Sequence, residues 1–89
     1  MADLLERRWT VSILVASHEG AQRFNEFLQM LGAVPPATLA SRLAELEQAG
    51  IFDRIVVPTR PPRVEYHLTA RGRRLGTIVA ALQGFALAE

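Results

Sequence analysis

The hydrophobic positions from Pro36 to Gly50, PATLASRLAELEQAG, repeat at helical spacing: Leu39, Leu43 and Leu46 stand at i, i+4 and i+7. This predicts an amphipathic helix. Pro36 suits its first turn, where a missing N–H costs nothing. Gly50 suits the position just past its end, where φ > 0 is needed. At about 100° per residue, the opposite face carries Ala37, Thr38, Ser41, Ala44, Glu45 and Gln48, with Arg42 at its edge. The side chains near the start of this face are small, so the helix is able to approach another molecule closely.

The flanking patterns are different. Ala2 to Arg8 sets Leu4 and Leu5 among charged residues and reads as a short helix or arm. Trp9 to Ala16 is apolar almost all round, which suits a buried helix, although Val11, Ile13 and Val15 would also permit a strand. Ser17 to Gly20 is a turn. Arg23-Phe24 allows a brief extended segment. Asn25 is then the expected N-cap of a helix from Glu26 to Leu31, with Phe27, Met30 and Leu31 inward. Gly32 to Pro36 breaks that helix, and Pro36 drives Pro35 towards an extended conformation. Two short helices joined this tightly form a helix-turn-helix pattern.

Beyond Gly50, Ile51 to Val57 is β-rich, and Thr59-Arg60-Pro61-Pro62 is a turn whose prolines cannot donate to a ladder. Arg63 to Leu68 alternates strictly, with Val64, Tyr66 and Leu68 on one face and Arg63, Glu65 and His67 on the other. The two strands make a hairpin with a basic, proline-stiffened tip. Thr69 caps a last helix in which Leu75, Ile78, Val79, Leu82 and Phe85 form an apolar stripe. The order helix, helix-turn-helix, hairpin, helix is a winged helix. The expected fold is α+β, mostly α, in one domain over residues 1–89. Its helix-turn-helix spans 26–50, its two-stranded β-hairpin wing 51–68 and its C-terminal helix 69–88.

Composition adds two constraints. At 89 residues the core is small, yet 49% of the chain is hydrophobic, which hints that apolar surface is buried between subunits. Cysteine is absent, so this sequence offers neither disulfides nor thiolate metal sites. No segment resembles a signal peptide or a membrane span, and the default expectation is a cytoplasmic protein.

Charge is informative by its placement. The net charge is only +1, and all ten basic residues are Arg. From Arg54 to Arg74 six Arg (Arg54, Arg60, Arg63, Arg71, Arg73, Arg74) meet one acid, Glu65; before Arg54 four Arg meet seven acids. A basic second half points to an anionic partner, against the plainer reading of a solvated Arg face.

Catalytic chemistry is not indicated. His18 and His67 lie far apart outside any metal-ligand spacing, and each reads as a solvated side chain. Ser12, Ser17 and Ser41 lack a nucleophile-elbow context. Glu45 and Glu47, two apart on a helix, point to different sides. Gly72 and Gly76 have GxxxG spacing, but Arg73 and Arg74 exclude a membrane dimer motif. No metal, cofactor or enzymatic activity is expected.

Four segments carry a family resemblance: W-x-x-x-I-L at Trp9 to Leu14, R-F-N-E at Arg23 to Glu26, L-x-x-R-L-x-E-L-E-x-x-G-I at Leu39 to Ile51, and P-P-R-V-E-Y-x-L-T-x-x-G at Pro61 to Gly72. With consistent spacing over nearly the whole chain, they resemble the HxlR-type transcriptional regulators. The resemblance implies a bacterial or archaeal regulator that binds double-stranded DNA and dimerises through its terminal helices. Some members of that family sense electrophiles or oxidants through a cysteine near the N-terminus, which this sequence does not have.

A winged helix places its second helix-turn-helix helix in the major groove and its hairpin tip on the backbone or minor groove. Thr38 and Ser41 then meet bases or phosphates, and Ala37 a thymine methyl. Arg42 is as well placed for a phosphate or a nearby Glu as for a base. Arg60 and Arg63 suit a narrow, electronegative minor groove, and Arg23 a phosphate. Arg71, Arg73 and Arg74 are solvated or paired within the dimer. Leu4, Leu5, Leu75, Ile78, Val79, Leu82 and Phe85 are the expected dimerisation surface of a homodimer on a (pseudo)palindromic operator. The rival reading is a winged helix that binds a protein partner, supported by the acidic Glu45 and Glu47. The effector is not legible.

Overall fold

The computed structural model describes residues 2–88, and the side chains of residues 4–84. Five helices and one hairpin follow in the order α1 (Ala2–Glu6), α2 (Thr10–His18), α3 (Phe24–Leu31), α4 (Pro36–Gln48), β1 (Phe52–Val57), β2 (Arg63–Leu68) and α5 (Ala70–Ala88). It is mostly helical, with a two-stranded antiparallel sheet, and is a winged helix.

Helix α4 is built as its periodicity predicts. Pro35 is extended, Pro36 opens the helix, and Leu39, Leu43 and Leu46 are wholly buried. Gly50 has φ 77°, the left-handed conformation expected just past a helix end. The stretch from Trp9 resolves to helix rather than strand, because Ile13, Leu14 and Ala16 all enter the core. The helix runs two residues beyond Ala16, to His18, and the turn shortens to Glu19-Gly20.

Helix α3 starts at Phe24, so the N-cap is Arg23 and not Asn25. The reason is Glu26. Its Oε1 accepts the backbone N–H groups of both Gln22 and Arg23 at 2.9 Å, the bond by which an N3 carboxylate fixes the residue before a helix as its cap. Arg23 has no side-chain acceptor, so the carboxylate does the capping alone. Gln22 meets the hairpin instead: its carbonyl accepts the Tyr66 N–H at 2.7 Å.

The hairpin pairs Phe52 with Leu68 through to Val57 with Arg63. Only its base reaches the core. Phe52 stands edge-on to Phe27 and to Tyr66, with centroids 6.2 and 6.1 Å apart, so three aromatic rings tie α3 to both strands. At the tip, Thr59 Oγ1 donates to the Pro61 carbonyl at 2.9 Å.

Thr69 caps α5 as expected. Its Oγ1 accepts the Gly72 N–H at 3.0 Å and donates to the Gly50 carbonyl at 2.6 Å, joining the starts of the last helix and of the wing. Gly72 then lies directly against the Ile51 carbonyl, and Gly76 beside His18. The two glycines serve packing within the chain.

Candidate nucleic-acid interface

Three leucines anchor α4, and its opposite face is open. Ala37 and Ser41 are exposed and Thr38 is half-buried. Arg42 does not share that outlook. Its Nη1 donates to Glu45 Oε1 at 3.0 Å and its Nε to the Arg8 carbonyl at 3.1 Å, and only 17% of the side chain is exposed. The second oxygen of Glu45 is 3.4 Å from Arg7 Nε. Arg42 is thus turned towards the junction of α1 and α2, and the carboxylate of Glu45 is shared between two guanidinium groups.

The wing tip and the start of α3 enclose a cleft of about 770 Å³, lined among others by Arg23, Arg60, Arg63, Asn25 and Gln29. The arginines differ in their surroundings. Arg23 Nε is 3.7 Å from Glu26 Oε2, and Arg63 Nε is 2.9 Å from Glu65 Oε2. Among the described residues, Arg60 has no carboxylate partner. His67 is not simply solvated: its Nε2 is 2.7 Å from Glu65 Oε1. His18 is exposed.

Two carboxyls respond to these contacts. The backbone N–H groups of Gln22 and Arg23 hold Glu26 below the ordinary 4.5, and the Arg23 charge adds to this. Glu65 is held below the same value chiefly by the His67 imidazole, with Arg63 assisting against partial desolvation. Both ionise more readily folded than unfolded, so their stabilisation is present above the ordinary value and fades as pH falls through the lowered ones. Thermal melts should therefore show a declining midpoint below about pH 5. Glu26→Gln with Glu65→Gln should flatten that decline; an unchanged pH profile in the double variant would contradict the assignment.

The terminal helices divide the expected apolar surface. Leu4, Leu5 and Leu75 are half-buried against the core, and Val79 is 7% exposed, so these four contribute to their own chain's packing. Ile78 and Leu82 are 57% and 64% exposed. The side chain of Phe85 lies outside the described residues. Sequence reasoning passed over Arg8 and Trp9, which line a cleft with Pro35 and Thr38 at the start of α4. No local signal marks that proximity, since roughly thirty positions separate the two segments.

Among the described residues, no helix is long and apolar enough to cross a membrane, and no group of three or more His, Asp or Glu is placed to hold a metal ion. A helix-turn-helix with an open second helix and a basic hairpin beside it defines a winged-helix protein of the transcriptional-regulator type. The chain belongs to the HxlR-like helix-turn-helix family, whose model matches residues 4–88.

Relatives and solved structures agree. The HTH-type transcriptional regulator YtfH of Escherichia coli is 47% identical over 75 residues, covering 84% of this chain and 60% of YtfH. The HTH-type transcriptional regulator sll1512 of Synechocystis sp. is 40% identical over 82 residues, covering 92% of this chain and 61% of that protein. The chain thus spans about three fifths of the length of these two relatives. The redox regulator HypR in its oxidized form superposes with a TM-score of 0.88 at 33% identity, over 98% of this chain and 90% of HypR.

Proposed function

We propose that this chain binds duplex DNA as a homodimer at a (pseudo)palindromic operator and so regulates transcription, in the cytoplasm. The observation that carries the reading is the pairing of two surfaces. Helix α4 offers small and hydroxylic side chains, Ala37, Thr38 and Ser41, while Arg23, Arg60 and Arg63 gather around the wing-tip cleft. The first surface suits close approach to base edges, and the second suits phosphates or a narrow minor groove.

The rival, a protein-binding winged helix, drew on acid in α4. Glu45 shares its charge with Arg7 and Arg42, which leaves Glu47 as the exposed acid of that helix and favours DNA. The sequence holds no cysteine, so a thiol response of the kind a redox regulator uses has no residue here.

A mobility-shift titration with genomic and random duplexes tests the reading. Binding should weaken steeply with salt, with a log–log slope of about −0.9 per phosphate neutralised. Arg60→Ala with Arg63→Ala should lower affinity about tenfold on every sequence alike, whereas Thr38→Trp or Ser41→Trp should change which sequence is preferred. Failure to shift any duplex at low salt would favour the protein-partner reading. Full affinity in the double arginine variant would remove the wing from the interface.

A further inference from the structure

The junction of α1 and α2 holds an unusual residue. Trp9 has φ 77° and ψ −14°, a left-handed conformation that an L side chain adopts only where its surroundings enforce it. The enforcing groups come from α4. Arg42 Nε donates to the Arg8 carbonyl at 3.1 Å and Glu45 takes the Arg7 guanidinium at 3.4 Å, so two side chains of the recognition helix hold the Arg8–Trp9 peptide and the side chain just before it.

The result is a presented guanidinium. The Arg8 side-chain carbon Cζ lies 5.3 Å from the centroid of the Trp9 ring, over its face. A cation–π contact of this kind restrains the group without using a hydrogen-bond acceptor, and the Arg8 guanidinium donates to no protein acceptor among the described residues. Arg8 is exposed, and among the described residues no carboxylate pairs with it. Arg8 and Trp9 share a cleft of about 370 Å³ with Pro35 and Thr38, the end of α4 that carries the proposed base-reading face. Arg7 and Arg42 share one acid, Glu45, and Arg8 and Arg42 are the two cations that line the cleft.

We propose that Arg8 is a DNA-phosphate contact flanking the recognition helix, and that Arg42 is the positioning residue that holds it in place. This rests on the DNA-binding reading above. A helix seated in the major groove brings the phosphates bordering that groove alongside its flank. A guanidinium held over an aromatic ring, with its N–H donors unused, matches two phosphate oxygens at once. Arg42, spent on the Arg8 carbonyl and on Glu45, acts through Arg8 and makes no base contact of its own.

The test is a fluorescence-anisotropy titration of the full chain, across a salt series, on random and genomic duplexes. Arg8→Ala should bind every duplex about tenfold more weakly and reduce the magnitude of the log–log salt slope by about one. Arg8→Lys should recover the slope but only part of the affinity, since an ammonium neither stacks nor grips bidentately. Arg42→Gln should weaken binding without altering sequence preference, and combined with Arg8→Ala it should cost nothing further. Circular-dichroism melts should show each variant folded; because Arg8 is exposed, its arm stands even if Arg42→Gln unfolds.

If the wild type binds DNA in a salt-dependent way and Arg8→Ala keeps both affinity and slope, the phosphate contact is overturned while the DNA reading stands. If the wild type binds no duplex, the DNA reading itself fails. A changed sequence preference in Arg42→Gln would make Arg42 a base reader and overturn its positioning role.

Discussion

Replacing Gly72 with alanine should destabilise the fold by about 3 kcal/mol, close to the upper end for overpacking. A Cβ at that position would overlap the Ile51 carbonyl oxygen and press on Leu68 Cδ2 at 3.0 Å. The leucine is able to move; the carbonyl is not. It belongs to the chain entering β1 and already accepts the Thr69 N–H at 3.0 Å. Relief would require α5 to lift away, breaking the Thr69 cap and uncovering α2. A domain of this size has a total stability of roughly 4–13 kcal/mol, so the loss is a large fraction of it. Gly84→Ala is the control in the same helix. Nothing lies within 4 Å of its added Cβ, and alanine is the better helix former by about 1 kcal/mol. Urea titrations of the two variants should move the midpoint in opposite directions. Equal midpoints would mean that α5 does not sit against Ile51.

Ile78→Glu with Leu82→Glu should convert the proposed dimer to monomer and cost operator affinity about 10²- to 10⁴-fold, the range lost when two linked half-site contacts become one. Both residues project from α5 and are more than half exposed, so the substitutions leave the chain's own core untouched. Past Val79, the exposed residues Ala81 and Leu82 continue the open apolar face of α5. Each large apolar side chain buried against a partner contributes roughly 1.5–3 kcal/mol, enough in small numbers to offset association. Two recognition helices related by a two-fold would then lie about 34 Å apart, one turn of DNA. Sedimentation equilibrium checks the first step and a titration on a palindromic site the second. A wild-type monomer at micromolar concentration would remove the dimer and the palindrome together.

The local elements were legible because their causes are local. Leu39, Leu43 and Leu46, the Pro36 and Gly50 boundaries, the strand from Arg63 to Leu68 and the Thr69 cap each depend on neighbours within a few residues, and each appears in the structure where the pattern puts it, although Glu65 and His67 are half-buried like the apolar residues beside them. The start of α3 was misplaced by two residues because a carboxylate inside the helix, not the residue before it, satisfies the free N–H groups.

The apolar stripe of α5 shows where periodicity stops. Leu75 and Val79 form one row at i, i+4, and Ile78 and Leu82 a second row about 60° round the helix. A sequence period of 3.6 cannot separate rows so close. Only the position of α2 decides that the first row is covered and the second is open.

By itself, then, the sequence determined the succession of helices and strands from Pro36 onward, the inward face of α4, the basic character of the wing and the family, because backbone hydrogen bonding and side-chain periodicity act over a few residues; whether Trp9 to Ala16 is helix or strand was left to core packing. The tertiary structure alone decided the distant partners of long charged side chains. Arg42 points at Arg8, thirty-four positions away, and Glu45 is shared with Arg7. A guanidinium on a flexible stem takes whichever acceptor the folded chain brings within reach, and no spacing along the chain encodes partners so far apart.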